Sequence, residues 1–191
     1  MKTQIDQIPD LLFHTAQGFY DIALNCAYNV SKDNEITGFQ RIAPGAVNLC
    51  FAAELLLKGL LLLTSKKDIK GHHLKLLFNE LPESLRVQIE LRYKYHIEQD
   101  KDKKDYGAFK IVLTKKNKEK KEQDDSDDVS LDKLLTTHNK GFENWRYLYE
   151  IGRDGYTYEI DFKSMNCFIK SIVDTINTLP QKQRLYLSKT K

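Results

Sequence analysis

The chain lacks most of the residues and patterns that announce a particular chemistry or compartment. Only three cysteines occur, Cys26, Cys50 and Cys167, each inside an apolar helical pattern and none in CxxC spacing. That excludes a zinc ribbon, a dithiol redox centre and a disulfide framework, and leaves buried reduced thiols as the expectation. There is no Walker loop, no GxGxxG and no GxSxG, so no nucleotide cofactor or esterase elbow is expected. His72 and His73 are adjacent and therefore point apart on a helix. With no cysteine or carboxylate at ligand spacing, no metal is expected there. Charge of one sign is also missing: 30 basic against 27 acidic residues leave +3, too little by itself to argue for nucleic acid. The segment MKTQIDQIPD has no apolar stretch of the kind a secretion signal needs, and the expectation is a cytoplasmic protein.

Against this background one run stands out. Val47–Leu63 reads VNLCFAAELLLKGLLLL, almost wholly apolar, with Glu54 and Lys58 four residues apart. The composition and length favour helix over strand. A helix apolar on every side lies inside a protein, so this is the expected central helix of a bundle. Lys58 interrupts the run, and Arg41 and Lys66 bound it. The uncharged span thus falls short of the roughly 20 residues a bilayer requires, and no membrane association is expected.

The other elements follow by pattern. A first helix runs from Pro9 to about Asn29, with Leu12, Ala16, Phe19, Ala23, Cys26 and Ala27 as its apolar stripe and His14 beside it. Residues 30–43 are polar with one glycine and read as a loop, after which Pro44 opens the central helix. A short helix is expected from His73 to Glu80. Another runs from Pro82 to about Gln99, with Leu85, Ile89, Tyr93, His96 and Ile97 in line. Residues 98–128 are dominated by lysines and acids around an apolar island, AFKIVL. They read as a charged, flexible insertion within a single domain, residues 1–191, and the island reads as a short strand or an arm. Asp128 or Ser130 caps the next helix. FENWRYLYE follows, with Arg146 and Glu150 at ion-pair spacing. Residues 156–160 extend briefly, and a last helix runs from an Asp161 cap to Thr178, stopped by Pro180.

The helix AAELLLKGLLLL, followed by Gly71-His72-His73-Leu74-Lys75-Leu76-Leu77, resembles the signature region of the HEPN superfamily. The FENWRYLYE block before a terminal apolar helix is similar to a subset of its bacterial members. The resemblance covers most of the chain, the charged insertion excepted. It implies an all-α, up-and-down bundle of four to five main helices that dimerises through helix packing. In many members the activity is metal-independent RNA cleavage in defence, toxin–antitoxin or RNA-processing systems, alongside an antitoxin or nucleotidyltransferase partner. Other members are non-catalytic binding or scaffold modules. The catalytic motif implied is an Arg followed after four to six residues by a His. The nearest pair here is Arg92 and His96, with three residues between them, Tyr93 after the arginine, and a place on the middle helix.

Arg92 and His96 share one helical face, and an arginine and a histidine suit the charge and proton transfers of that reaction. His96 also falls on the apolar stripe of its helix, so a packing role is the competing reading. Glu54 and Lys58 are buried by context and must find partners, because an unpaired buried charge is costly. Arg146 and Glu150 offer opposite charges, and His72 and Tyr147 offer hydrogen bonds. The expectation is a polar network joining the central helix to the FENWRYLYE block. It either fixes helix register or lines a pocket for a nucleotide or RNA phosphate.

Overall fold

The computed structural model describes residues 8–30, 35–65, 67–100, 110–113, 128–147 and 158–180. They form an all-α helical bundle with one two-stranded ribbon. The elements are α1 (Ile8–Val30), α2 (Glu35–Ser65), α3 (Leu74–Asn79), α4 (Glu83–Gln99), β1 (Lys110–Leu113), α5 (Leu131–Thr137), α6 (Gly141–Arg146), β2 (Tyr158–Asp161) and α7 (Phe162–Thr178).

α2 is the hub, packing on α1, α3, α6 and α7. Ala46, Leu49, Cys50, Ala52, Ala53, Leu57, Leu60 and Leu61 on it are fully buried. Among the described residues it is the one helix long and apolar enough to cross a membrane, yet 72% of that window is buried inside the bundle, as in a core helix. α1 lies antiparallel along it. A Cβ at Gly59 would come within 2.5 Å of the Phe13 ring, and one at Gly45 would come within 3.0 Å of Cys26. The buried face of α1 between those contacts is Ala16, Ala23 and Ala27, small enough for close approach of the two backbones.

The start of α2 corrects the expectation from sequence. Residues 30–43 are not one loop, and Pro44 does not open the helix: the helix begins at Glu35 and Pro44 sits inside it. Ile42 and Ala46 are buried on either side of the proline, so packing holds the segment helical against proline's local preference. Gln40, whose carbonyl loses its i+4 donor, is exposed, and water can take that bond.

α4 and α7 also run antiparallel, tied by three polar rungs at four-residue steps. Arg92 Nη2 donates to Thr178 Oγ1 at 3.1 Å, His96 Nε2 meets Asp174 Oδ2 at 2.8 Å, and Lys170 Nζ donates to Asp100 Oδ2 at 3.3 Å. Caps match the sequence reading. The Ser130 hydroxyl accepts from Lys133 N–H, and Asp161 accepts from the Ser164 N–H at 2.9 Å and its hydroxyl at 2.8 Å. The apolar island contributes β1, which pairs antiparallel with β2, Lys110 opposite Asp161 and Leu113 opposite Tyr158. Residues 98–100 of the charged segment complete α4 and the turn after it, and its remaining residues apart from β1, up to 127, lie outside the described residues.

Two glycine replacements in helix interiors test this packing with opposite signs. Gly59→Ala forces its methyl into the Phe13 ring and is expected to cost about 1–3 kcal/mol. At Gly18 an added Cβ meets nothing within 4 Å, so Gly18→Ala is expected to gain up to about 1 kcal/mol from helix propensity. Urea unfolding of both variants measures the two effects.

Candidate functional site

The carboxylate predicted from the apolar run is buried. Glu54 is 1% exposed, in the middle of α2. Lys58, one turn on, donates to its Oε1 at 2.9 Å, with the lysine side chain 20% exposed. The second partner comes from the connection after α2. Gly71 adopts φ +95°, in the left-handed region that glycine enters without strain, and the chain turns there before α3. His72 follows, and its Nδ1 lies 3.0 Å from both Glu54 oxygens.

A carboxylate in an ion pair only accepts, so His72 carries its proton on Nδ1 and donates it to Glu54. Nε2 then points away from the carboxylate. It makes no hydrogen bond among the described residues, and the side chain is 37% exposed. A buried acid that fixes one tautomer and leaves the other ring nitrogen toward solvent is the arrangement that makes an imidazole a directed base.

α6 supplies the floor and the rim. Gly141 lets α6 settle on α2, because a Cβ there would stand 2.5 Å from Cys50 Sγ. The next residue, Phe142, stacks on Phe51 of α2 with centroids 4.6 Å apart, and Phe51 meets Phe19 edge-on at 4.7 Å. The His72 ring lies 4.9 Å from that of Phe142. The Arg146 guanidinium sits over the same Phe142 ring at 5.2 Å and over the Tyr147 ring at 4.6 Å, and it also hydrogen-bonds the Tyr147 hydroxyl. Arg146 and Tyr147 are exposed. The order from core to surface is therefore Glu54, then Lys58 and His72, then the aromatic ring, then Arg146 with Tyr147.

The structure places His72, Lys58, Arg146 and Tyr147 in this one neighbourhood around Glu54. Arg146 reaches the cluster by stacking on Phe142 rather than by an ion pair with Glu54. Glu150 lies outside the described residues, as does Tyr149. Arg92 and His96 are elsewhere, on the α4–α7 seam. There they do share a face, and Thr178 and Asp174 occupy their polar ends. The signal for those partners was in the sequence: Asp174 and Thr178 repeat the spacing of His96 and Arg92 in reverse order.

Cys50, one turn before Glu54, is not a reactive member of the cluster. Full burial, with the Glu54 charge adding to it, pushes its thiol up to about 12, which keeps it protonated and inert at neutral pH. Among the described residues no group of three or more His, Cys, Asp or Glu is arranged to hold a metal.

A second polar cluster, not anticipated from the sequence, lies beneath the ribbon. A cleft of about 80 Å³ is lined by Tyr93, Lys133, His138, Glu159, Asp161 and Ser164. His138 is 1% exposed; its Nδ1 donates to the Leu134 carbonyl at 2.9 Å, and its Nε2 accepts the Asp161 N–H at 3.2 Å. Both ring nitrogens are committed to backbone. Trp145 Nε1 donates to the Glu159 carbonyl at 3.3 Å, so this cluster pins β2 to α5 and α6.

Glu54→Ala leaves Lys58 and His72 without their acceptor. Both can reach water, so the expected cost is about 1–3 kcal/mol, short of that for stranding a fully buried charge. Lys58→Met leaves the buried carboxylate with only the imidazole as a side-chain donor and no paired cation, and is expected to cost more, about 2–5 kcal/mol. Chemical denaturation of the two variants separates the contributions. No family model, curated protein or solved structure matches the chain.

Proposed function

We propose that this chain is a HEPN-like helical protein that acts on RNA, and that its site is the His72 face rather than the Arg92–His96 seam. The observation that carries the reading is the Glu54–His72 dyad, with Nε2 free of protein partners among the described residues, Lys58 on the same carboxylate, and Arg146 stacked on the Phe142 ring that His72 also meets. In the reaction, His72 Nε2 takes the proton of a ribose 2′-hydroxyl. The 2′-oxygen attacks the adjacent phosphorus, the bond to the 5′-oxygen breaks, and that oxygen takes a proton. The products are a 2′,3′-cyclic phosphate and a 5′-hydroxyl end. Glu54 offsets the charge gained by the imidazole, and Arg146 and Lys58 offset the charge developing on phosphate oxygens. Tyr147 and the Arg146 plane offer a surface on which an unpaired base can stack.

A second reading is a non-catalytic module that binds a nucleotide or RNA phosphate at the same face. The observation favouring it is that Arg92 and His96, the pair nearest to the cleavage motif of that family though short of its spacing, are engaged on α7.

The test incubates the protein with transfer RNA and mixed single-stranded RNA in chelator. His72→Ala and the Arg92→Ala/His96→Ala double variant run alongside, with binding measured in parallel. The reading expects cleavage that falls at least about 100-fold in His72→Ala and persists in the double variant. Cleavage unaffected by His72→Ala contradicts it. RNA binding with no cleavage by any form selects the second reading.

A further inference from the structure

α4 is apolar on two opposite faces. Leu85, Ile89 and Tyr93 point into the core, while Val87, Leu91 and Tyr95 stand 49%, 62% and 61% exposed. The outer three recur at four-residue steps, about 6 Å apart along the axis, and form one ridge. The end of α7 lies beside it. The Thr178 hydroxyl accepts from Arg92, the residue after Leu91, at 3.1 Å. α7 stops there. Leu179 is buried but already extended, with φ −62° and ψ 146°, and Pro180 has no N–H with which to continue the helix. The chain therefore leaves α7 as extended backbone against the flank of α4 that carries Arg92. The segment that follows, 181–191, reads QKQRLYLSKTK and lies outside the described residues.

We propose that the ridge is the docking site of this chain's own following segment, with Leu185 and Leu187 seated on it and Leu91 at the centre of the contact. Reach, pitch and charge all fit this occupant. Leu185 is seven residues beyond Thr178, up to about 23 Å of extended chain, which is enough to pass round the flank of a helix about 10–12 Å across. In an extended chain alternate side chains share one face, about 6.7 Å apart, close to the pitch of the ridge. That face of the segment is Gln181, Gln183, Leu185 and Leu187, and the opposite face is Lys182, Arg184, Tyr186 and Ser188. The uncharged glutamines then cross the Arg92 flank, the two leucines meet successive ridge residues, and the cations stay in water. The charges of α4 beside the ridge are already matched: Arg92 is held to Thr178 on the near flank, and Glu90 pairs with Lys94 at 2.9 Å on the far one. The apolar contact therefore decides the register. A tethered segment meets its site at an effective concentration of roughly millimolar order, so a contact of two leucines holds it where the same peptide from solution would not. This inference is independent of the RNA reading.

Brief trypsin digestion of the full chain, read by mass spectrometry as the rate of cleavage after Lys182 and Arg184, tests it. A docked segment is cut only while it is released, so the rate follows the released fraction. Leu91→Ser is expected to speed this cleavage at least about tenfold, and Leu185→Ser/Leu187→Ser to do the same. The variant combining all three changes is expected to be cut no faster than either parent, because each already removes the same contact. Leu11→Ser, at a residue 66% exposed on α1, is expected to leave the rate unchanged, and circular dichroism of each variant checks that the fold is intact. The wild-type rate is expected to be the same at every protein concentration. Cleavage indifferent to Leu91→Ser overturns the proposal, as do effects that multiply in the combined variant. Protection that appears only as concentration rises also overturns it, and assigns the ridge to a second copy of the chain.

Discussion

One buried carboxylate in the apolar stretch of α2 sets the terms for much of this structure. Glu54 cannot be left uncompensated at 1% exposure. Lys58 answers it within the helix. The second answer requires the chain to leave α2, turn at a glycine and return an imidazole to the carboxylate. That return fixes where α3 begins, and α3 in turn is anchored to the α5–α6 turn: the Leu74 N–H donates to the Asn139 carbonyl at 3.0 Å, and the Lys75 N–H donates to the Asn139 side chain at 3.0 Å. The same placement lays the histidine against Phe142. A constraint that begins as a desolvation cost thus ends by turning a histidine's second nitrogen away from the carboxylate, with Lys58 on the same acid and Phe142 against the ring.

The α4–α7 pairing obeys a different rule. Its three polar rungs keep constant register over two helical turns, with Tyr93 buried between them. A seam built this way specifies alignment more than it adds stability, since partly exposed ion pairs and hydrogen bonds each contribute on the order of 1 kcal/mol or less. It also accounts for an arginine and a histidine at catalytic-looking spacing whose polar ends are occupied by a neighbouring helix.

How far the sequence could be read follows from which forces act locally. Helices with one-sided stripes and good caps, such as α7 with Asp161 and α5 with Ser130, are legible because pattern and cap lie close together in the chain. The start of α2 was not legible. Pro44 and the polar residues before it argue against helix, and only the burial of Ile42 and Ala46 by distant segments overrides them. The need of Glu54 for partners was evident from its apolar surroundings, and His72 was among the candidates. That Phe142, with Arg146 stacked on it one helical turn later, would settle against Phe51 and His72 was hidden, because it depends on Gly141 packing against Cys50, residues far apart in sequence. The cleft around His138 was hidden for the same reason, being built from α4, α5, β2 and α7.

The central claim is that Glu54 fixes the tautomer and direction of His72. Nitrogen NMR of the imidazole, correlating ring nitrogens with ring protons in the wild type and in Glu54→Gln, tests it most directly. The account predicts that the neutral form of the His72 ring carries its proton on Nδ1 and leaves Nε2 unprotonated, and that this preference is lost in Glu54→Gln. A neutral ring with its proton on Nε2 in the wild type, or a tautomer balance unchanged by Glu54→Gln, would contradict it.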